Sequence, residues 1–173
     1  MALTAWPDPA ANSYISVADA DAYFADALHA ADWTAAATDV KEQALVTATR
    51  MIDRQAWRGA KTDPDQPLEW PRTGLTYRDG TPVADDSLPK VLLDAACELA
   101  LALIQDLDVQ NRADTSIQAR RYKAGSAEVE YFAPVRGGRF PTVIQELLGW
   151  FLLAAGAAVG LPQVSGTDEE SQF

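Results

Sequence analysis

A run of apolar residues from Ser87 to Asp108 restricts the fold more than any other stretch. Ser87 has the side chain of an N-cap, and Pro89 would stand in the first turn, where its missing N–H costs nothing. Leu88, Leu92, Ala95, Ala96, Leu99, Leu103 and Leu107 fall on one face at helical spacing, and Leu93, Cys97, Leu101 and Ile104 occupy a second. Only Lys90, Asp94, Glu98 and Gln105 repeat as a polar stripe. A helix apolar around most of its circumference must be surrounded by other elements. The charged stripe argues against a membrane span, which takes about 20 mainly apolar residues. The spacing predicts a mainly α fold: a helical bundle around this central helix.

A chain of 173 residues points to a single domain, and 48% apolar composition is enough for a sizeable core. Cys97, the only cysteine, lies on an apolar helix face and is expected to be buried and inert, so no disulfide framework exists. The first residues, Met1 to Asp8, carry neither a basic cluster nor a long apolar run, which reads as no signal peptide and a cytosolic origin. The net charge of −11 is uneven. Twelve of the fourteen Lys and Arg lie in 50–78 and 112–139, while 1–49 holds seven acids against Lys41 and 140–173 four acids and no base. Such acidity argues against a free nucleic-acid binder, because phosphate neutralisation by Lys and Arg dominates that affinity. The asymmetry fits ordinary surface solubility or a role in assembly equally well.

In chain order, residues 1–12 form an irregular arm, 13–156 a single domain, and 157–173 a flexible tail. Ser16 and Asp19 resemble a capping box that opens a helix through Tyr23, Phe24 and Leu28. Trp33 falls in a short connection. Thr38 caps the next helix, which runs to about Gln55 with Ala44, Leu45, Ala48, Met51 and Ile52 as its apolar stripe.

Residues 56–86 hold the densest turn chemistry. Pro64, Pro67 and Pro71 bar a regular helix, and Asp79-Gly80 makes a tight turn. A structureless loop beyond about 12–15 residues is uncommon in a compact domain. Trp57, Arg58, Trp70 and Arg72 are therefore candidates for a subunit interface or a loop clamp, against the plainer reading that the two tryptophans cap the core.

After the central helix, 116–132 reads as an inserted β-hairpin turning at Ala124-Gly125. Its first strand is basic and its second acidic. Arg120, Arg121, Tyr122, Lys123, Tyr131 and Phe132 are its contact candidates. An isolated hairpin is marginally stable in water, so it needs a partner from this domain or a neighbouring chain. Arg136 to Arg139 is a mobile link. Pro141 starts a last helix with Val143, Ile144, Leu147, Leu148, Phe151 and Leu152 as its apolar side, widened by Trp150 and Leu153. The tail offers Leu161, Pro162 and Phe173 as sparse anchors, and its composition cannot order it without a partner.

No catalytic constellation is visible, and no enzyme activity, metal or cofactor is expected. His29 is the only histidine and sits at a helix end. Asp63-Pro64-Asp65 lacks the residues a calcium loop needs. Asp19, Asp21 and Asp26 do not share one helical face. There is no phosphate-binding glycine loop, and one Arg136-Gly137-Gly138-Arg139 copy is a weak nucleic-acid signal.

The opening from Ser13 to Phe24, the segments Trp57-Arg58-Gly59 and Gln66 to Arg72, and the Ala-rich central helix resemble a family of small proteins of tailed bacteriophages, often labelled DnaT-like single-stranded-DNA-binding proteins. The chain is also similar to helical head–tail connector (adaptor) proteins; the likeness covers most of 13–153, and its most specific part is the tryptophan loop. The connector resemblance implies a virion component assembled in the host bacterial cytoplasm. Adaptors of this kind form a ring, a dodecamer, between the portal and the tail or stopper protein. Double-stranded DNA passes through without specific binding, no membrane is involved, and a C-terminal segment engages the portal. The DnaT-like label implies a rival function, single-stranded-DNA binding in replication, which would want a basic groove with stacking aromatics. The hairpin residues are the only plausible such set.

Overall fold

A computed structural model describes residues 2–105, 115–124, 127–136 and 140–153; for the two central ranges it describes the backbone. The element that organises it is α4 (Lys90–Gln105). Leu92, Ala95, Ala96, Cys97, Leu99, Ala100, Leu101 and Leu103 are buried along it. The first predicted face is buried from Leu92 to Leu103; of the second, Cys97 and Leu101 are buried and Leu93 and Ile104 half-buried, while in the polar stripe Lys90 and Gln105 are exposed and Asp94 and Glu98 half-buried. The helix starts at Lys90 and not at Ser87: the carbonyl of Pro89 accepts the first bonds, from Leu92 and Leu93 N–H at 2.9 and 3.4 Å. Proline, with φ already set, takes the position expected of the serine. Leu107 and Asp108 lie outside the described residues.

Around α4 pack α3 (Thr38–Asp53), α5 (Thr142–Leu148), α2 (Ala31–Ala35) and α1 (Val17–Ala25). Among the described residues the chain is mainly helical, with two two-stranded antiparallel sheets. The whole predicted stripe of α3 is buried, but its N-cap is Ala37, one residue before Thr38, and no side chain caps it. In α1 the Ser16 cap is formed as predicted: its Oγ accepts Asp19 N–H at 3.1 Å.

Two expectations in this region are corrected. The first helix stops at Ala25, and Leu28 is fully exposed (105%) in the following turn. Trp33 belongs to a helix of its own, α2, and is 1% exposed. The two corrections have one cause. Phe24 and Trp33 stack 4.9 Å apart, and the chain must leave the first helix early to bring the indole back. Trp33 is then fastened by its Nε1–H, which donates to Asp21 at 2.8 Å. Lys41 reaches the same carboxylate at 2.8 Å, and its hydrogen bond holds the Asp21 pKa below the ordinary value.

The N-terminal residues are tied to the body. Trp6 N–H donates to the Ser13 carbonyl at 2.9 Å, Ala11 is buried, and Leu3 and Trp6 pack on the core. Tyr14 N–H donates to Thr49 Oγ on α3 at 3.2 Å.

Between α3 and α4 the proline-rich segment is folded on a short ladder, β1 (Ala60–Lys61) antiparallel to β2 (Arg72–Thr73). Leu68, Trp70, Leu75 and Val83 send their side chains into the core. After α4 come β3 (Thr115–Ala124) and β4 (Ala127–Arg136), an antiparallel hairpin with Arg120 opposite Tyr131, Arg121 opposite Glu130 and Lys123 opposite Glu128. The hairpin extends four residues beyond the predicted end, so Arg136 belongs to β4 and not to a link. Its turn and residues 137–139 lie outside the described residues.

The last helix is shorter than its apolar side suggested. α5 ends at Leu148, the chain turns through Gly149–Phe151, and Leu152 then pairs antiparallel with Trp57, Arg58 N–H donating to the Phe151 carbonyl at 2.9 Å and Leu153 N–H to that of Ala56 at 2.8 Å. Ile144, Leu148 and Phe151 are buried, whereas Val143, Trp150 and Leu153 are exposed. Of the helices described, none is long and apolar enough to cross a membrane.

Candidate functional site

Trp57, Arg58, Trp70 and Arg72 come together where the proline-rich segment meets the last described residues. Trp57 is 5% exposed, Trp70 1% and Arg72 7%, so three of the four lie inside the chain's own core. Trp70 stands edge-on to both Trp57 and Phe151, with ring centroids 5.4 and 5.5 Å apart. Beside them the Arg72 guanidinium closes the loop. Its Nε donates to the Arg58 carbonyl at 2.9 Å and Nη2 to that of Gly59 at 3.0 Å, while Nη1 reaches the Glu69 carbonyl at 3.2 Å and carboxylate at 2.8 Å. The planar, five-donor fork of arginine suits three carbonyls and a carboxylate arranged around it. Gly59 makes this possible. Its φ is +69°, and a Cβ there would lie 2.3 Å from the Thr73 carbonyl oxygen.

Behind the clamp, Asp53 at the end of α3 accepts the Tyr14 hydroxyl hydrogen and the Glu69 N–H. Burial pushes the Asp53 carboxyl up to about 6, and burial next to that carboxylate raises the Tyr14 phenol as well. A carboxyl bound to its proton more tightly in the folded state than its ordinary 3.8 adds stability below that value, and the contribution is lost as pH rises through about 6. Asp53→Asn keeps the acceptor and removes the charge. It should raise the melting temperature at pH 7.5, by about 1–2 kcal/mol of stability, and leave it unchanged at pH 4. A pH series of thermal melts of the two proteins checks this; an equal gain at both values would place the effect elsewhere.

Only Arg58 of the four faces outward. Its guanidinium carbon lies 5.7 Å from the ring centre of Trp150, and Nη1 donates to the Trp150 carbonyl at 3.1 Å. Arg78 lies over the same ring at 5.9 Å, and the indole Nε1–H donates to the Thr76 carbonyl at 2.7 Å. Trp150 is thereby held by two cations and one hydrogen bond while remaining 39% exposed. A groove of about 430 Å³ opens beside it, lined by Tyr77, Arg78, Val91, Leu147, Trp150 and Phe151. The sequence pattern puts Trp150 on the apolar side of a helix and gives Arg78 no distinguishing mark. The available signal was Gly149, which ends α5 and turns the indole away from the helical stripe.

In the hairpin, the antiparallel register sorts the candidate residues by face. Arg120, Tyr122 and Tyr131 share one, and Arg121, Lys123 and Phe132 the other. On the second face Glu130 stands opposite Arg121 and Glu128 opposite Lys123, so two of the three basic candidates stand opposite an acid in the register. Leu161, Pro162 and Phe173 lie outside the described residues.

Elsewhere, His29 is exposed and reaches Glu98 at 3.1 Å, and Glu98 also accepts the Tyr23 hydroxyl hydrogen at 2.8 Å. Cys97 is buried, and burial pushes its thiol up to about 12. Among the described residues no cluster of His, Cys, Asp or Glu could hold a metal ion.

These features define a mainly helical protein whose loop clamp is internal and whose hairpin is inserted between its last two described helices. Residues 1–162 match the family described as "Putative DnaT-like ssDNA binding protein", and the chain belongs to that family. No curated protein and no solved structure matches it.

Proposed function

We propose that the chain is a structural subunit of a tailed-bacteriophage virion, forming the ring that joins portal to tail and extends the DNA channel. The observation that carries this reading is the charge of everything outside the hairpin region. Apart from 112–139, eight Lys and Arg stand against twenty-two Asp and Glu. A surface so acidic repels phosphate, which suits a conduit through which double-stranded DNA must slide and not a site that retains it. In this reading the bundle forms the ring wall, twelve copies close it, the portal and a tail or stopper protein are its neighbours, and it is not an enzyme.

The family description favours a second reading, single-stranded-DNA binding in replication. Its support in the fold is that the register puts Arg120, Tyr122 and Tyr131 on one face of the hairpin, a basic and two aromatic residue types of the kind that single-strand binders use. Two experiments with the full chain separate the readings. Co-sedimentation with portal rings should recover the protein with the portal, and truncation after Gly156 should weaken that attachment with little change in melting temperature. At physiological salt, low-micromolar protein should not shift single-stranded oligonucleotides. Nanomolar, salt-sensitive binding abolished by joint Arg120→Ala and Arg121→Ala, with no portal binding, overturns the connector in favour of replication.

A further inference from the structure

We infer that residues 154–162 turn back on their own chain and lie in the groove beside Trp150, with Leu161 seated against its apolar lining. The contact is made within one chain and depends on neither reading of the function above.

The groove suits a neutral occupant. Tyr77, Val91, Leu147, Trp150 and Phe151 give it an apolar lining. At its rim Arg78 stands against Asp79 and Glu146, and Arg58 lies over the Trp150 ring, so two cations are set against two carboxylates. A strongly charged segment of either sign would meet repulsion as well as attraction there, whereas an uncharged one forfeits nothing. Trp150 and Leu153 are each 39% exposed, so the end of the described chain presents apolar surface to be covered.

The segment that follows Leu153 has the matching chemistry. Ala154-Ala155-Gly156-Ala157-Ala158-Val159-Gly160-Leu161-Pro162 carries no charge and no polar side chain, and the first charged residue after Leu153 is Asp168. The family match sets a boundary at the same place. It runs to residue 162 and leaves out 163–173, so this apolar segment belongs with the domain and the acidic end does not.

Position makes the contact easy to reach. Leu153 is fixed by its N–H bond to the Ala56 carbonyl at 2.8 Å, and Trp150 and Phe151, which line the groove, stand just before it in the chain. From Leu153 to Leu161 the chain can span about 26 Å when fully extended, which leaves slack for a reversal at Gly156. A segment tethered so close meets the groove at an effective concentration on the order of millimolar. It also avoids the loss of translational freedom that a separate partner of the same chemistry would have to offset.

Disulfide trapping in the full chain tests this. Cys97 is the one native cysteine and is buried. Chains carrying Glu146→Cys at the groove and Pro162→Cys beside the anchor should close an intrachain disulfide under mild oxidation at low-micromolar concentration. They should do so about tenfold faster, or more, than chains carrying Arg54→Cys with Pro162→Cys. Glu146 and Arg54 are both exposed, so neither change disturbs the core, and Arg54 lies beside the Ala56 end of the segment's departure point. Adding Leu161→Asp to the groove pair should abolish its advantage. Truncation after Gly156 should also raise acrylamide quenching of Trp150, an increase that the Trp150→Phe protein does not show. The melting temperature should change little, because the contact covers a groove and not the core. Equal trapping at the two positions, trapping that Leu161→Asp leaves unaltered, or unchanged quenching on truncation overturns the inference. A disulfide that forms only between chains also overturns it, since the groove would then hold the segment of a neighbouring copy.

Discussion

Trp70→Ala is expected to cost about 3–5 kcal/mol, the usual range for truncating a buried aromatic side chain. In a chain of this length that corresponds to a fall in Tm of about 10 °C, or to loss of cooperative folding if the reserve is small. Trp70 is 1% exposed and packs edge-on against Trp57 and Phe151, so the alanine leaves a cavity bounded by two further aromatics that cannot both move into it. The effect is one of volume and not of polar contact, because neither the Trp57 nor the Trp70 indole N–H has a hydrogen-bond partner among the described residues. Trp70→Phe, which keeps a ring and gives up no such bond, should therefore cost much less. Urea denaturation of the three proteins checks the ranking. A Trp70→Ala protein within 1 kcal/mol of the parent would mean that the segment from 56 to 86 contributes little to the core.

Arg72→Ala should be nearly as severe, at about 3–5 kcal/mol, for a different reason. The guanidinium is 7% exposed and donates to three backbone carbonyls as well as to Glu69. Removing it strips partners from the Arg58 and Gly59 carbonyls and leaves Glu69 with Lys61, 3.3 Å away, as its remaining ion-pair partner. Arg72→Lys should restore little, since one ammonium cannot span the positions that a planar fork reaches together. If lysine recovered most of the stability, charge and not geometry would be what closes the loop. Comparison of denaturation midpoints for alanine and lysine decides between the two.

The parts of this fold that could be read from residues are those where one repeating signal outweighs everything else. Helix α4 shows two apolar faces and a polar stripe, and packing on all sides follows. The stripe of α3 and the Ser16 cap are legible for the same reason, being local and periodic. Where a single distant partner decides the geometry, the sequence is silent. Nothing near Leu28 announces that Phe24 must meet Trp33, so the apolar spacing runs three residues past the end of α1. Proline and serine compete to begin α4, and only the carbonyl geometry shows that Pro89 does so. At the clamp, residue types marked the right place, since aromatic and arginine side chains crowded between prolines are unusual in a loop. The bonds from Arg72 to three carbonyls depend on the backbone path through Gly59, and that path has no periodic signature. Trp150 leaves the apolar side because its helix stops at Leu148, before the stripe does.

The backbone bonds that join Ala56–Arg58 to Phe151–Leu153 also bear on when the molecule can fold during synthesis. Phe140, Ile144, Leu148 and Phe151 belong to the same core cluster as Tyr14 and Leu45, so the earliest buried residues wait for some of the last described ones. Helices α1 to α4 leave the ribosome with one side of α4 uncovered, and the hairpin is translated before the segment that covers it. An exposed Leu- and Ala-rich helix face is the kind of surface on which nascent chains associate or chaperones hold them. Domains tend to fold as units once complete, and here completion comes only when residue 153 has been made. Any premature stop before α5 should therefore yield not a shortened protein but an unfinished one.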